Sequence, residues 1–146
     1  MALVIEHVLS IDAPADRVWA VVCDLASYPE WNPFVVACAS TLVVGDPISM
    51  RVRLFWWSQP QREQILEHER GRRLCYGLPP SRLGALESRR SHEVVAEGAT
   101  RTRYVSHFEL VGWLAPLVSW FLGRRLRAGF GAMSAALKVR VEQLAG

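Results

Sequence analysis

Alternation of hydrophobic and polar residues predicts strands over most of the chain. From Leu3 to Ile11 the odd-numbered positions share one face, and the segment ISMRVRLFW (48–56) alternates in the same way. Two hairpins are predicted to turn at the glycine-containing pairs 70–71 and 97–98. In the last strand one face carries only residues that can be buried: Thr100, Thr102, Tyr104, Ser106, Phe108 and Leu110.

Helical spacing takes over in three places. Asp12 and Pro14 precede a short apolar pattern and predict a helix with Asp12 as its N-cap. The two prolines of YPEWNPFV (28–35) then break that pattern, which predicts a tight turn or second short helix before the strand FVVACAS (34–40). A long helix is predicted from about 114 to 144, with an apolar face formed by Phe121, Leu122, Leu126, Phe130, Met133, Leu137 and Val141.

The predicted order is therefore a strand, two short helices, about six strands and a long helix. No linker or internal repeat divides it, so we expect one domain over residues 1–146. An antiparallel sheet of this size has one apolar face that must be covered, and a single helix about 10 Å across cannot cover all of it. The remaining face must line a cavity, unless large side chains fill the space.

Composition restricts the class of protein. Hydrophobic residues make up 51% and charged residues 21% of the 146 residues, which predicts a folded, soluble chain. The net charge of +3 comes from arginine clusters such as RVR, RGRR, ESRR, TRTR and GRRLR, which alternate with apolar residues and favour a solvated face over nucleic-acid binding. The three cysteines are too far apart for a metal knuckle or a redox pair. We expect no metal and no cofactor.

The sequence shows no recognisable export signal. Glu6 and His7 interrupt the region where a signal peptide would need a continuous apolar run. The longest apolar run, residues 110–123, is too short to span a bilayer and contains Pro116. A cytoplasmic location is the expectation from these features.

The segment SIDAPADRVWAVVCDLASYPEWNPF (10–34) resembles the N-terminal signature of the START-like superfamily, also called SRPBCC or Bet v 1-like. The likeness continues through a Gly-Asp pair at 45–46, a GRRL turn, a Gly-Ala-Thr hairpin and a Leu-Ala-Pro-Leu step into the last helix. The chain is most similar to the bacterial polyketide cyclase/dehydrase and lipid-transport-like branch. The resemblance implies an α+β helix-grip fold, in which a curved seven-stranded antiparallel sheet, two short helices and a long C-terminal helix enclose a hydrophobic cavity.

Our first prediction is a protein that binds, and could transport, a small hydrophobic molecule such as a lipid, an isoprenoid or a polyketide-like ring system, rather than an enzyme. Trp31 is predicted to close one end of the cavity. The facing of the strands and the long helix predicts a cavity wall of Leu54, Tyr76, Tyr104, Phe108, Leu126, Phe130 and Met133.

The alternative is a polyketide cyclase, aromatase or dehydratase. His7 is predicted to point inward, where a neutral imidazole could act as a general base, and Tyr104 could donate a hydrogen bond to a substrate carbonyl. Ser106 and either Ser91 or Glu93 could add polar groups, although the register of the strand from Arg89 to Val95 is left open by the sequence. The competing interpretation of His7 is an inward histidine whose hydrogen bonds are satisfied within the fold.

A third hypothesis is a membrane-associated carrier of a lipid or quinone. The segment WLAPLVSWFLGRRLR (113–127) places Trp113 and Trp120 beside four arginines, as in interfacial membrane segments. The simpler interpretation, which the sequence favours, is that these aromatics pack beneath the edge of the sheet.

Overall fold

The computed structural model describes residues 2–81 and 83–145. Within these residues the chain forms seven strands and three α-helices, and a 3-10 turn over Leu25–Ser27 joins the first two helices. The elements follow the predicted order: β1 (Leu3–Ile11), α1 (Ala15–Cys23), α2 (Tyr28–Trp31), β2 (Val35–Ser40), β3 (Pro47–Arg53), β4 (Ser58–Glu69), β5 (Arg73–Gly77), β6 (Glu87–Ala96), β7 (Thr102–Val111) and α3 (Ala115–Ala145).

All seven strands form one antiparallel sheet in the order β1-β7-β6-β5-β4-β3-β2. Strands β2 to β7 are consecutive neighbours, so each pair needs only a short connection. Strand β1 instead pairs with β7, and α1 and α2 carry the chain from that edge to the opposite one. This is the helix-grip α+β architecture that the sequence predicts.

Helix α3 lies mainly over one half of the sheet. It packs chiefly on β1, with smaller contacts to α1 and β7. Its C-terminal half is tied to the end of β1: Lys138 Nζ donates to the Ser10 carbonyl at 2.8 Å, and Glu142 accepts a hydrogen bond from the Asp12 amide at 2.9 Å. In its N-terminal half, Val118, Leu122 and Leu126 are directed toward the rest of the sheet and line a cavity there.

The predicted N-cap at Asp12 is wrong. Helix α1 begins at Ala15 with Pro14 in the cap position, and no side chain caps it. A tight turn, closed by a hydrogen bond from the Ala13 amide to the Ile11 carbonyl, comes before the helix and carries Asp12 away from its amides. The Asp12 carboxylate instead lies 3.6 Å from Nε of Arg101.

The segment YPEWNPFV is a turn held by side chains. The Tyr28 hydroxyl donates to the Val22 carbonyl at 2.6 Å, and Oδ1 of Asn32 accepts hydrogen bonds from the amides of Phe34 and Val35 at 3.0 and 2.9 Å. A short amide side chain can satisfy two backbone donors where the ladder has not yet begun. Asn32 thus sets the direction in which the chain enters β2.

The alternation predicted for β7 is correct from Thr102 onward. Thr102, Tyr104, Ser106, Phe108 and Leu110 are all buried, whereas Thr100 is exposed and precedes the strand.

On α3 the prediction fails at Phe121, whose side chain is 67% exposed. At 3.6 residues per turn, Phe121 lies about 140° around the helix from the buried Leu126, so it cannot share the inward face. In the described ranges no helix is long and apolar enough to cross a membrane.

Candidate functional site

A cavity of about 210 Å³ lies between the N-terminal half of α3 and the inner face of β3 to β7. It occupies the part of the sheet that α3 does not pack against. Its volume is below the roughly 300–1,000 Å³ of most ligand pockets, so a small molecule fits it better than a long lipid chain. Most of the wall is apolar, and its members include Phe34, Met50, Val52, Leu54, Leu78, Leu86, Phe108, Val118, Leu122, Leu126 and Phe130.

Five of the residues that the sequence places in the wall do line this cavity: Leu54, Tyr76, Phe108, Leu126 and Phe130. The other two, Tyr104 and Met133, are fully buried and are not part of the lining. The Tyr104 hydroxyl bonds to His92, and Sδ of Met133 accepts a hydrogen bond from Arg90. Both side chains therefore lie behind the wall, where Met133 contacts the wall residue Arg90.

Three phenylalanines build the central apolar surface. The ring of Phe130 lies 4.9 Å from that of Phe34 in an edge arrangement and 4.7 Å from that of Phe108. Phe34 reaches this position because Gly129 has no side chain: a Cβ on Gly129 would lie 2.3 Å from the Phe34 ring. Trp31 packs against Tyr28 at 5.1 Å and is not among the lining residues, so the side chain from this turn that lines the cavity is Phe34.

A stripe of polar side chains on β4 forms another side of the cavity. The lining includes Gln59, Gln61 and Glu63, and each of them pairs with an apolar residue of β3 that points to the same face of the sheet. Nε2 of Gln61 donates to Oε2 of Glu63 at 3.0 Å. Burial raises the pKa of Glu63, while the hydrogen bond from Gln61 and the charge of Arg90 act in the opposite direction. Glu63 is therefore a carboxyl group that can take up a proton more readily than a surface glutamate.

Arg90 is a buried cation at the cavity wall, with only 3% of its surface exposed. It belongs to the ESRR cluster, for which the sequence predicts a solvated face, and for Arg90 that prediction is wrong. The register pairs Arg90 with Phe108 on one side and Tyr76 on the other, and both of these point inward. Because residues paired directly across neighbouring strands lie on the same face of the sheet, Arg90 points inward as well.

The guanidinium of Arg90 is held mainly by neutral groups. Nη1 donates to Oγ of Ser106 at 2.6 Å and to the Ser91 carbonyl at 3.2 Å. The guanidinium carbon lies 4.7 Å from the centre of the Phe130 ring, in a cation–π arrangement. These contacts fix the cation in one place on the wall.

A row of three buried rings runs from the cavity into the core. Nε2 of His92 lies 3.1 Å from the Tyr76 hydroxyl, and Nδ1 lies 2.6 Å from the Tyr104 hydroxyl. Burial, aided by the charge of Arg90, holds the pKa of His92 well below its ordinary value, so the imidazole is neutral. A neutral imidazole has one donor and one acceptor, so one tyrosine donates to His92 and the other accepts from it.

The same burial acts on the two phenols. It raises the pKa of Tyr76 and of Tyr104, and the charge of Arg90 lowers both in part. Both tyrosines therefore remain protonated near neutral pH. Tyr76 is the only member of the row that also lines the cavity within the described chain, so it connects the wall to the core network.

His7 lies outside the cavity lining. It stands opposite Ser106 on the neighbouring strand, beneath α3, where its Nε2 would be 3.1 Å from a Cβ placed on Gly131. Its Nδ1 is buried and has no hydrogen-bond partner among residues 2–81 and 83–145. The structure thus does not bring His7 and Tyr104 together at the cavity.

Sequence reasoning missed the polar groups of the wall, although a signal for them exists. Counting back from the apolar Ile65 in steps of two gives Glu63, Gln61 and Gln59 on the inward face of β4. Counting back from Val94 gives His92 and Arg90 on β6 by the same rule. The polar character of these positions concealed the alternation.

Exposed apolar side chains lie on the loops after β3 and β5 and around the start of α3. We call this set the aromatic rim; it consists of Trp56, Trp57, Leu83, Trp113, Leu117, Trp120 and Phe121. Trp113 is 63% and Trp120 81% exposed, so the prediction that they pack beneath the sheet edge is wrong.

Direct contacts join the three segments that carry the aromatic rim. Nε1 of Trp113 donates to the Leu83 carbonyl at 2.9 Å. Nη1 of Arg125 donates to the Leu54 carbonyl at 3.2 Å, and its guanidinium lies 4.5 Å from the centre of the Phe55 ring. The loops after β3 and β5 and the start of α3 therefore meet around Leu54, Leu86 and Leu122, which line the cavity.

Comparison with known structures gives the same fold. A START superfamily protein from Mycobacterium smegmatis is 19% identical with a TM-score of 0.72, covering 97% of this chain and 98% of that one. The Zhui aromatase/cyclase from a Streptomyces species is 16% identical with a TM-score of 0.73, covering 100% and 99%. A norcoclaurine synthase from Thalictrum flavum is 17% identical with a TM-score of 0.74, covering 100% and 98%. At these identities the likeness concerns the fold.

The family comparison covers most of the sequence. No curated protein matches the chain. Residues 2–138 match the family described as polyketide cyclase/dehydrase and lipid transport. This match, together with the helix-grip fold and the cavity beneath α3, places the chain in the START-like superfamily as a member of the polyketide cyclase/dehydrase and lipid transport family.

Proposed function

We propose that the protein binds a small hydrophobic molecule in the cavity between α3 and the sheet. The observation that carries the proposal is the cavity itself, an apolar space of about 210 Å³ in the half of the sheet that α3 leaves uncovered. An empty apolar space weakens packing, because its lining atoms lose their dispersion contacts. A ligand of matching size restores those contacts, so binding stabilises the folded chain.

The size and wall chemistry favour a compact ring system. Phe34, Phe108 and Phe130 offer aromatic surfaces, on which a planar ligand packs with large contact area. The polar stripe of Gln59, Gln61 and Glu63 and the cation of Arg90 supply the few polar groups that orient a ligand in an apolar pocket. A small aromatic or polyketide-like molecule fits this combination better than an acyl lipid.

Mass spectrometry of the purified protein tests the proposal. Under native conditions we expect a bound apolar compound that organic extraction releases. In Leu122→Trp the larger side chain fills the cavity, so the variant should carry much less of the compound. Val139→Trp is the matched control, because Val139 lies on the same helix, is exposed and does not line the cavity. Equal recovery from both variants would refute binding at this site.

A second candidate function is catalysis of the polyketide cyclase or dehydratase type. The description of the matching family and the name of the similar aromatase/cyclase support this candidate. The observation that favours it is Glu63, a carboxyl group of the cavity wall whose pKa burial raises. Such a group can exchange a proton with a bound carbonyl compound. It takes the place that the sequence hypothesis gave to His7, with Tyr76 rather than Tyr104 as the hydroxyl at the wall.

Comparing co-purified compounds distinguishes an enzyme from a simple binder. If Glu63 acts in a dehydration, the Glu63→Gln variant should retain an unconverted precursor that is heavier by one water than the compound held by the wild type. If the protein only binds, both forms should hold the same compound. Gln59→Glu, which adds a carboxyl elsewhere on the stripe, controls for the change in wall charge.

A third candidate, transient contact with a membrane, rests on the aromatic rim. The rim is flanked by Arg124, Arg125 and Arg127, and exposed tryptophans beside arginines suit the interface of an anionic bilayer. Co-sedimentation with vesicles rich in phosphatidylserine should weaken when these three arginines become glutamine, and should persist when Arg70, Arg72 and Arg101 are changed instead. Absence of co-sedimentation by the wild type would exclude this role.

A further inference from the structure

Arg90 is the one cationic side chain among the described residues that both lines the cavity and is buried. Its position is fixed by the sheet, since β6 is flanked by β5 and β7 and the register places Arg90 between Tyr76 and Phe108. Neither neighbour carries charge. The guanidinium therefore stands in an apolar part of the wall, where a charge is costly unless an opposite charge accompanies it.

The hydrogen bonds of Arg90 leave this charge without a direct partner. Nη1 is satisfied by Ser106 and by the Ser91 carbonyl, but Nη2 has only Sδ of Met133 at 3.6 Å, which is a weak acceptor. No ion pair within residues 2–81 and 83–145 includes Arg90. The contacts to Ser106, Met133 and the Phe130 ring hold the cation in place without neutralising it.

Glu63 is the one acidic side chain of the cavity wall in the described chain; the charge of Arg90 lowers its pKa in part, but the two side chains form no ion pair. Glu63 lies on β4 and Arg90 on β6, with β5 between them, so their backbones are about 10 Å apart. Glu63 is engaged by Gln61 at 3.0 Å instead. The cavity occupies the space in front of both residues.

We propose that the natural ligand is a small hydrophobic acid, whose carboxylate pairs with Arg90 while its ring system packs on Phe34 and Phe108. The proposal rests on the proposed function, because it names the chemical class of the molecule held in the same cavity. A carboxylate complements the planar guanidinium. It can accept a hydrogen bond from Nη2, whose one protein partner in the described chain is Sδ of Met133, a weak acceptor. Because Arg90 is almost completely buried, its attraction to a carboxylate is stronger than at a surface.

Selectivity follows from the same geometry. A neutral molecule of the same shape would leave Arg90 without a direct ion-pair partner, so it would gain the apolar contacts only. An acid gains the apolar contacts and the charge pair. The site should therefore discriminate against uncharged isosteres even though most of its wall is apolar.

The test uses naphthoate and its neutral isostere naphthamide as probes, titrated into the ligand-free wild-type protein near neutral pH and followed by calorimetry. We expect naphthoate to bind roughly tenfold more tightly or better, as charge-assisted pairs are stronger than neutral hydrogen bonds. Equal affinity for both probes would overturn the acid preference and leave the binding function intact. Binding of neither probe would count against both.

Two variants assign the preference to Arg90. Arg90→Met keeps the length of the side chain and removes the charge, so the affinity ratio should fall to about one while naphthamide still binds. Arg89→Met is the matched control: Arg89 is the adjacent residue of the same strand, half-exposed, and it pairs with Glu67 at 3.2 Å outside the cavity. Arg89→Met should keep the wild-type ratio. A preference that survives in a folded Arg90→Met variant would refute the proposal, and the wild-type comparison decides the outcome even if that variant does not fold.

Discussion

The Tyr104 hydroxyl lies 2.6 Å from Nδ1 of His92 in the interior of the sheet, where both side chains are almost completely excluded from solvent. The distance is short for a neutral pair, and the other nitrogen of His92 is bonded to Tyr76. The three rings therefore hold one another in fixed orientations. Protonation of His92 would put a second positive charge beside Arg90 and would require both tyrosines to accept its protons.

We predict that His92 makes the protein less stable as the pH falls. The pKa of His92 is lowered in the folded state, whereas an unfolded histidine titrates near pH 6.5. Below about pH 6.5 the unfolded chain takes up a proton that the folded chain does not, so stability declines by up to about 1.4 kcal/mol per pH unit. In His92→Gln this decline should be smaller by that amount, as measured by urea unfolding between about pH 5 and pH 8.

His107 provides a control of opposite sign. Partial burial acts to lower its pKa, but hydrogen bonds to Glu109 and Glu6 outweigh burial and raise it. Its stabilisation is complete below the unfolded value and is lost as the pH rises through the folded one. His107→Gln should therefore make the protein lose more stability at low pH than the wild type. Identical pH profiles for the two variants would contradict the assignment of His92 as a neutral, buried group.

Gly129→Ala should both destabilise the fold and impair ligand binding. The new Cβ would lie 2.3 Å from the Phe34 ring, which must then move toward the cavity. Overpacking of this kind costs about 1–3 kcal/mol. The measurement is the free energy of unfolding together with the amount of compound that co-purifies.

Gly123→Ala tests whether the effect at Gly129 comes from the clash. Gly123 lies on the same helix, but its added Cβ would meet only Oγ of Ser119 at 3.7 Å, an ordinary contact. Because alanine favours a helix over glycine, this variant should gain about 0.5–1 kcal/mol. A loss of stability in both variants would point to a general effect on α3 rather than to Phe34.

The thiols should react slowly in the folded protein. All three cysteines are free, and burial raises the pKa of Cys23 to about 11 and of Cys38 to about 12. Near pH 8, roughly one thiol in a thousand would be ionised at Cys23, and the thiolate is the reactive form. Modification by a thiol reagent should be at least about 100-fold slower than in urea-unfolded protein. Rapid modification of Cys23, which is only half-buried, would contradict the raised pKa.

His7→Leu should leave ligand affinity unchanged within about twofold and should not lower stability. His7 does not line the cavity, and its Nδ1 is buried without a partner in the described part of the chain. Replacing a buried polar group that lacks a partner with an apolar one removes its desolvation cost. Phe130→Ala, which removes a central ring of the cavity wall, should weaken binding strongly in the same assay. A large loss of binding in His7→Leu would restore His7 as a candidate site residue.

The sequence predicted the sheet well where one face is consistently apolar. In β7 the alternation identifies the buried side chains from Thr102 to Leu110, because a slip of one residue would expose all of them. It failed on β4 and β6, where Gln61, Glu63 and Arg90 point inward. Polar residues on an inward face erase the signal that alternation provides, so the groups most relevant to a ligand were the hardest to predict.

The rim shows the opposite failure. The sequence predicts that Trp113 and Trp120 pack beneath the edge of the sheet and that Phe121 belongs to the apolar face of α3, yet all three are exposed. Hydrophobicity alone predicts burial, and it cannot distinguish burial in the core from contact with another surface. The helical period around Leu126 was the better guide for Phe121.

The C-terminal half of α3 is bonded to the end of β1 and the residue after it through Lys138 and Glu142, whereas Leu122 in its N-terminal half lines the cavity. The two halves of the helix therefore have different structural roles. Substitutions at Leu122 and Val52 would change the shape of the cavity without removing the hydrogen bonds between α3 and the end of β1. The composition of the cavity wall can therefore change while the contacts that hold α3 on β1 are kept.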